Sequence, residues 1–425
     1  MNINQSYKET KPEWVGEIPI EWELSKSGKF FIERLDKVDD INYPPLSVTK
    51  LGIVDQLQDV AKTNAGFNRK LVKKNDFVIN SRSDRKGSSG ISPRDGSVSL
   101  INIVLEPRNI YPQFIAYLFQ SYYFKEEFFR NGKGIHWDLW TTRWDQFKNI
   151  YIPVPKEKEQ ILISQYLDKK TKQIDSLVKK IDEKIQLLNE QNMASIHKYV
   201  IQGLDNNVDM KDSGIKWIGK IPKHWELSRL KYITSRIGDG LHSTPKYIED
   251  SKYYFINGNN LIDGKITIFP STRCVSYEQY DKHLIILNDN CILLSINGTI
   301  GNLSLYSGET VILGKSCCYI KLKDICCRDY IYWFLKSNFV FNYFRNQLTG
   351  TTIFNLSLES VRETHILLPP EQEQEDIAKF LQKENKRFMA LIAQHSSKRK
   401  LLQEYRQSLI SSVVTGRIRI TQEMI

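Results

Sequence analysis

Two segments of this chain are near copies of each other, and this internal repeat constrains the fold more than any shorter motif. One reads WVGEIPIEWELS from Trp14 to Ser25, and the other reads WIGKIPKHWELS from Trp217 to Ser228, with eight of twelve positions identical. Self-similarity of this kind indicates that a whole structural unit occurs twice. We interpret the tryptophans of these two tryptophan segments as anchors that hold the start of each unit on its hydrophobic core.

A long stretch without glycine or proline closes each repeat. The first runs from Ile161 to Gln202 and stops at Gly203, and the second reaches Thr415 before Gly416. Apolar residues recur at spacings of three and four, which is typical of an amphipathic helix, and some forty residues would extend roughly 60 Å. The stripe of the first helix consists of Ile174, Leu177, Val178, Ile181, Ile185 and Leu188. That of the second consists of Leu391, His395, Lys398, Leu402, Tyr405 and Leu409, and it is imperfect, although its alternating spacing of four and three fits a coiled-coil seam.

The two helices are natural partners for each other. A lone amphipathic helix leaves its apolar face in water, whereas two similar helices bury both faces by packing together. Because a whole domain separates them in the chain, we predict an antiparallel pair. The approach to each helix is also repeated, since Pro155, Glu159 and Gln160 align with Pro369, Glu373 and Gln374.

The sequence outside the helices indicates domains of mixed α/β structure. Alternating stretches predict strands at Leu46–Thr49, Phe77–Asn80 and Ser99–Leu105. An aromatic-rich run predicts a helix at Pro112–Phe129, which Arg328–Phe344 mirrors in the second domain. The predicted fold class is α+β, with two mixed α/β domains separated by two long antiparallel helices packed as a coiled coil, in a pseudo-twofold internal repeat. The predicted segments are a first domain at 1–155, a central helix at 156–204, a second domain at 205–368 and a C-terminal helix at 369–425.

The charge balance indicates a polyanionic partner. Lysine and arginine number 60 against 49 aspartate and glutamate residues, which gives a formal charge of +11.

No apolar run is long enough to predict a membrane span, and six cysteines without the spacing of a metal site fit a reducing cytoplasm. The segment Gly308–Ser316 resembles a phosphate-binding P-loop but has five residues between its glycines, where that loop needs four. We therefore expect a chain without catalysis, cofactor or metal of its own.

The order of these parts resembles the specificity subunit of a type I restriction-modification enzyme. The resemblance covers almost the whole chain and rests on the two W-x-G-x-I-P-x-x-W segments and on the prolines and Glu-Gln pairs that lead into the long helices. One departure is Pro153-Val154-Pro155, where this family often has adjacent prolines.

The resemblance implies two target recognition domains, each reading one half of a bipartite site in double-stranded DNA. The helices would set the gap between the halves and dock two methyltransferase subunits, and restriction motor-nuclease subunits would complete the enzyme. Cofactors would then belong to the partners: S-adenosylmethionine to the methyltransferase subunits, and ATP and magnesium to the restriction subunits. The alternative interpretation is a non-catalytic scaffold that binds protein or RNA.

Candidate DNA contacts are polar and basic residues on loops, because base edges are read by paired donors and acceptors on loops that a domain scaffold holds in place. In the first domain they are Ser81, Arg82, Ser83, Arg85, Lys86, Lys133, His136, Trp137 and Arg143. In the second domain they are His242, Ser243, Thr244, Lys246, Asn257, Asn259, Asn260, Asn297, Thr299, Thr351, Thr352 and Asn355. Candidate partner-binding residues on the helices are Ile174, Leu177, Ile181, Leu188, Leu391, Leu402, Tyr405 and Leu409.

Overall fold

The structure is a computed structural model that describes residues 6–57, 66–136, 140–350 and 354–425. The chain divides into two compact units. Unit 1 comprises residues 1–182 and 396–425, and unit 2 comprises residues 183–395. Each unit therefore contains a mixed α/β body together with parts of both long helices, which confirms the predicted fold class.

The body of unit 1 combines short antiparallel strands with a pair of aromatic-rich helices. Its strands pair in the orders β10-β9-β12-β4, β11-β8-β5, β13-β3, β6-β7 and β1-β2. The strands are β1 (Tyr7–Glu9), β2 (Glu17–Pro19), β3 (Glu23–Lys26), β4 (Phe31–Glu33), β5 (Lys37–Val38), β6 (Leu46–Thr49), β7 (Gly52–Asp55), β8 (Arg69–Val72), β9 (Phe77–Asn80), β10 (Ser89–Ile91), β11 (Gly96–Val98), β12 (Asn102–Pro107) and β13 (Tyr151–Val154). The helices are α1 (Pro112–Gln120), α2 (Tyr122–Arg130), α3 (Trp144–Phe147) and the long α4 (Glu157–Gln202).

The body of unit 2 follows a similar plan. Its strands pair in the orders β17-β26-β23-β24, β18-β22-β19-β25, β16-β27, β14-β15 and β20-β21, and only the β19–β25 pair is parallel among these. The strands are β14 (Met210–Asp212), β15 (Lys220–Pro222), β16 (Glu226–Arg229), β17 (Thr234–Asp239), β18 (Tyr247–Ile248), β19 (Tyr253–Ile256), β20 (Leu261–Ile262), β21 (Lys265–Ile266), β22 (Arg273–Val275), β23 (Cys291–Ser295), β24 (Leu303–Leu305), β25 (Val311–Leu313), β26 (Cys317–Leu322) and β27 (His365–Leu368). The helices are α5 (Leu230–Ile233), α6 (Tyr277–His283), α7 (Arg328–Lys336), α8 (Asn338–Asn346), α9 (Leu358–Arg362) and the long α10 (Glu371–Val414).

The aromatic-rich helix predicted in each domain is in fact two helices, so that prediction was wrong in both copies. A serine breaks the run, at Ser121 between α1 and α2 and at Ser337 between α7 and α8. Each serine is extended and buried, and its hydroxyl donates to a carbonyl of the preceding turn, Leu118 O at 2.6 Å and Phe334 O at 2.5 Å. A serine that bonds locally competes with the helical ladder, which explains the break within an otherwise apolar run. The predicted strand Ser99–Leu105 also begins later, as β12.

The long helices end and pair as the sequence predicts. Gly203 and Gly416, with φ of 73° and 78°, terminate α4 and α10 in a left-handed conformation that favours glycine. In unit 1 the helix segments are antiparallel, because Asp175 pairs with Arg406 at 2.8 Å while Asp182, farther along α4, pairs with an earlier residue of α10, Arg399, at 3.0 Å. In unit 2, Asn192 donates to Asn385 across the corresponding seam at 2.9 Å.

The predicted apolar stripes match the buried seam only in part. Ile174, Ile181, Leu188 and Leu409 are buried, whereas Leu177 and Tyr405 are 49% and 55% exposed. On α10 the predicted positions Lys398 and Tyr405 are each one residue away from the residues that face α4, which are Arg399 and Arg406. The charged ends of these arginines pair with Asp182 and Asp175, and a search for apolar residues does not detect such positions.

The repeated motifs form the same contacts in both units. The indole N–H of Trp22 donates to Glu159 at 2.9 Å in unit 1, and that of Trp225 donates to Glu373 at 3.1 Å in unit 2. Both tryptophans are almost fully buried, and β3 and β16, which follow them, pair with the strands that precede α4 and α10. The tryptophan segments therefore anchor each body to the start of a long helix.

Candidate nucleic-acid interface

In unit 1 the two predicted contact loops come together. Arg82 and Lys133 each form an antiparallel bridge with Thr141, and the Thr142 N–H donates to Ser81 O at 2.9 Å. The loop that follows β9 is thereby joined to the segment that follows α2. Beside the junction lies a cleft of about 520 Å³, lined by Ser81, Arg82, Thr141 and Arg143 together with residues of β4, β8 and β12.

The two contact loops of unit 1 and the cleft beside them form its loop cluster. The candidate side chains of this cluster differ in whether they already contact a charged partner. Arg82 is exposed, and Arg85 is exposed beside Asp84 at 3.5 Å. Lys86 is already engaged, since its Nζ lies 2.6 Å from Glu126 and 4.6 Å from the centre of the Phe129 ring.

The other candidates of unit 1 are buried, exposed, or outside the described part of the chain. Ser81 is buried, and its hydroxyl donates to Ile101 O at 2.5 Å. Lys133 and His136 are exposed. Trp137 and the side chain of Ser83 are outside the described part of the chain. The exposed candidates of unit 1 are therefore Arg82, Arg85, Lys133, His136 and Arg143.

The cleft of unit 1 also includes polar residues that the sequence did not single out. Lys70 lies against Glu33 at 3.3 Å and donates to Asn102 O at 3.0 Å. Asn102 is 4% exposed, and its Oδ1 has no hydrogen-bond partner within the described ranges. Nothing in the sequence marks these residues, because they reach the cleft from separate strands, β4, β8 and β12.

Unit 2 repeats the loop junction with different residues. Asn297, after β23, forms an antiparallel bridge with Asn355, and Thr349 forms a second bridge with the same residue. The Asn297 side-chain amide donates to Asn355 Oδ1 at 3.2 Å, and Gly298 N–H donates to Phe354 O at 3.3 Å. The junction thus again joins the loop after a central strand to the segment after the second aromatic helix. Thr351 and Thr352 belong to this segment but lie outside the described residues.

The remaining candidate loops of unit 2 pack next to this junction. Leu241 forms a parallel bridge with Gly314, and its N–H donates to Leu313 O at 2.7 Å. Ser316 connects the next turn, because its hydroxyl donates to Asn257 Oδ1 at 3.1 Å and accepts from Gly258 N–H at 2.9 Å. The turn Gly314–Ser316, which the sequence offered only as an imperfect P-loop, therefore lies within the cluster, and its Lys315 is exposed.

Several candidates of unit 2 are exposed and available to a ligand, whereas others shape the loops. Ser243, Thr244, Lys246, Asn259 and Thr299 are exposed. His242 is also exposed but lies 2.7 Å from Asp239.

Asn260 is the clearest structural member. It is buried, its Oδ1 accepts from Asn257 N–H at 2.9 Å, and its amide donates to Thr267 O at 2.9 Å. Asn260 is therefore a turn-forming residue rather than an exposed base reader.

The cysteines of unit 2 lie in the protein interior rather than at these loops. Cys291, Cys317, Cys318 and Cys326 are buried, and burial raises the pKa of the Cys317 thiol to about 12. Such thiols behave as small apolar side chains. Within the described ranges, no group of three or more histidine, cysteine, aspartate or glutamate residues is arranged to hold a metal ion.

Comparison with known proteins gives a consistent result. Residues 222–398 match the family model described as the type I restriction modification DNA specificity domain. Over 98% of both chains, the sequence is 24% identical to the type I restriction enzyme MjaVIII specificity subunit of Methanocaldococcus jannaschii, and it is equally similar to the MjaX specificity subunit of that organism, again over 98% of both chains.

Solved structures share the fold. A chain from a study of complex assembly and conformational transition of the type I R-M system matches with a TM-score of 0.71 at 14% identity, covering 94% of this chain and 99% of its own length. The HsdS subunit from Thermoanaerobacter tengcongensis matches with a TM-score of 0.51 at 15% identity, and the match covers 96% of this chain and 100% of that subunit.

Proposed function

We propose that this chain, which belongs to the specificity subunits of type I restriction-modification enzymes, binds double-stranded DNA through the loop cluster of each unit. Each cluster would read one half of a bipartite target. The observation that carries the proposal is the repeated loop junction: Arg82 with Thr141 in unit 1 and Asn297 with Asn355 in unit 2 occupy the same place with different side chains. Two readers of different sequences require a common support that carries different side chains, and the two units of this chain have this arrangement.

The side chains at the tips suggest different preferences for the two units. Unit 1 presents Arg82 and Arg143, and arginine most often pairs with the two acceptors of guanine in the major groove. Unit 2 presents Asn259 and Asn297, and asparagine suits the donor and acceptor of adenine. The net charge of +11 favours contact with phosphates in addition.

The chemistry would be carried out by other chains. We propose that methyltransferase subunits supply S-adenosylmethionine and that restriction subunits supply ATP and magnesium, in the cytoplasm. Exposed apolar residues on the long helices are suitable contacts for such subunits, namely Leu177, Leu401 and Tyr405 in unit 1 and Leu187 and Met389 in unit 2. No helix in the described ranges has the length and apolar character to cross a membrane.

Methylation mapping tests the assignment of loops to half-sites. The full chain is expressed with its methyltransferase subunits, and the modified positions of a host genome are mapped. Arg82→Ala or Arg143→Ala is expected to relax the sequence at one half of the target and leave the other half and the spacer unchanged. Asn297→Ala should do the same at the other half. Arg108→Ala, which removes an exposed arginine outside the clusters, is the matched control. A change in both halves from a single variant would contradict independent reading.

The proposed role of the helices has a separate test. Seven extra residues in α4 near Lys179, matched by seven in α10 near Ser396, add one heptad to each helix and so preserve the seam. The helices would lengthen by about 10 Å, which corresponds to about three base pairs of duplex. The mapped target should then tolerate a longer spacer with the same half-sites. An unchanged spacer would show that the helices do not set the gap, and binding to RNA in place of duplex DNA would favour the scaffold alternative.

A further inference from the structure

Unit 1 contains a group of cations close to its recognition loop. The tip of the β6–β7 hairpin lies against β10, since a Cβ on Gly90 would be 2.9 Å from Gly52 Cα. A Cβ on Gly87 would be 2.9 Å from Lys125 Cδ, so the loop that carries Arg82 and Arg85 rests on the Lys125 side chain. Lys50 at the hairpin tip is near enough for its charge to add to burial in lowering the pKa of Lys125.

Lys125 has an unfavourable environment for a cation. It is half-buried, and burial is the largest cause that lowers its pKa, followed by repulsion from Lys50, Arg406 and Lys86, with Glu126 opposing them. Two of these neighbours are already neutralised, because Lys86 pairs with Glu126 at 2.6 Å and Arg406 pairs with Asp175. Among the described residues, no carboxylate lies within ion-pair distance of Lys125 or Lys50. An anion bound there would offset the repulsion among these cations.

Unit 2 differs at the same position. Lys125 is the fourth residue of α2, and Phe341 is the fourth residue of α8. Each lies against a glycine with positive φ in the loop after the central strand, Gly87 (φ 82°) in unit 1 and Gly301 (φ 88°) in unit 2. A Cβ on Gly301 would be 2.8 Å from the Phe341 ring. The fold therefore accepts an apolar side chain here, so the support of the loop does not require a lysine.

We propose that Lys125, together with Lys50, binds a backbone phosphate of the DNA whose bases the loop cluster of unit 1 reads. The inference rests on the proposed function, since it names a contact of that same interface. Gly87 supports it, because a residue without a side chain lets the loop that carries Arg82 and Arg85 pack closely on the Lys125 side chain, which keeps the lysine next to these arginines. A phosphate contact places the duplex relative to Arg82 and Arg143 but carries no base preference itself.

Binding of the full chain to two duplexes tests the proposal. One duplex carries the mapped target, and the other has the same composition with the target scrambled. Lys125→Gln is expected to weaken binding to both by the same factor, about fivefold, and to reduce the slope of log affinity against log salt by about 0.9, the value for one phosphate. Lys125→Arg should retain both. Lys74→Gln removes an exposed lysine of the same unit and is the matched control for net charge.

Three results would overturn the phosphate contact: equal effects of Lys125→Gln and Lys74→Gln, a loss confined to the target duplex, or an unchanged salt slope. Reductive methylation of the unsubstituted chain, followed by mass spectrometry, provides a measurement without any variant. DNA should protect Lys125 and leave Lys74 reactive, and equal labelling of Lys125 with and without DNA would contradict the proposal. If the unsubstituted chain binds both duplexes equally, sequence reading fails, while the salt slope still decides the phosphate contact.

Discussion

Replacing Gln160 by leucine tests whether the repeated Glu-Gln motif stabilises each unit through the glutamine. Gln160 is 2% exposed, and its Oε1 accepts from Tyr111 N–H at 2.7 Å while its Nε2 donates to Pro155 O at 2.8 Å. The side chain thus connects Tyr111, the residue before α1, to Pro155, which lies two residues before α4. In unit 2, Gln374 makes the matching bonds to Cys327 N–H and Pro369 O, at 3.0 and 2.9 Å.

The expected cost follows from the two backbone groups that lose their partner. Each buried group left without a hydrogen bond costs about 1–3 kcal/mol. Leucine recovers roughly 1–2 kcal/mol through its additional apolar surface. The two groups together cost about 2–6 kcal/mol, so a net loss centred on about 2.5 kcal/mol is expected for Gln160→Leu, and the same for Gln374→Leu. This loss should be confined to the unit that carries the substitution.

Hydrogen exchange resolved by peptide distinguishes the two units in one experiment. In Gln160→Leu the amides of β9 and β12 should exchange faster, by roughly 30-fold or more for a loss of 2 kcal/mol, while those of β23 and β26 keep their protection. Gln374→Leu should reverse the pattern. Strand amides are the suitable probe, because Tyr111 N–H loses its own acceptor in the variant. Unchanged exchange in β9 and β12 would refute the reasoning.

Three further variants have defined outcomes. Asn192→Leu should cost about 1–2 kcal/mol by leaving Asn385 unpaired, and adding Asn385→Leu should restore most of it; additive losses in denaturant unfolding would contradict the coupling. Gly240→Ala would place a methyl carbon 2.1 Å from Leu313 O and should destabilise unit 2 by about 3 kcal/mol, seen as a lower Tm. Burial raises the pKa of Glu159 despite Arg419 and Trp22, so the folded state holds its proton more tightly than the unfolded state. The free energy of unfolding of the native chain relative to Glu159→Gln should then decrease as pH rises from about 4.5, and a difference independent of pH would contradict this cause.

The residues that anchor each body to its long helix could be predicted from the sequence, because they are buried and occur in both copies of the repeat. Trp22 and Glu159 lie far apart in the chain but recur with the same neighbours as Trp225 and Glu373, so the repeat marks them before any contact is known. The ends of the long helices were equally accessible, since Gly203 follows an uninterrupted helical pattern. Ser121 was missed because periodicity ignores a single hydroxyl that bonds to the turn before it.

The candidate interface could be predicted only as far as its residues lie on polar loops. Arg82 and Asn297 were selected as candidates because loops of that kind often contact nucleic acids, and they remain predictions. The β-bridges of Arg82 with Thr141 and of Asn297 with Asn355 could not be predicted, because they join segments that lie far apart in the chain. Lys125 was missed for a different reason. It lies in a helix whose aromatic residues indicated a core position, and only the packing of Gly87 on its side chain shows that it lies beside the loop.

Buried anchoring residues and exposed loop residues respond differently to substitution. This difference explains how such a chain can change its target without losing its fold. A change at Gln160 or Trp22 leaves buried polar groups without partners and costs several times the thermal energy, so both copies retain these residues. Arg82 is exposed, and its replacement leaves no buried polar group without a partner, so the folded state tolerates many residues at this position. Position 125 lies between these extremes: phenylalanine occupies the matching position of the other unit, so the fold does not require a lysine, and we attribute the lysine of unit 1 to the proposed phosphate contact.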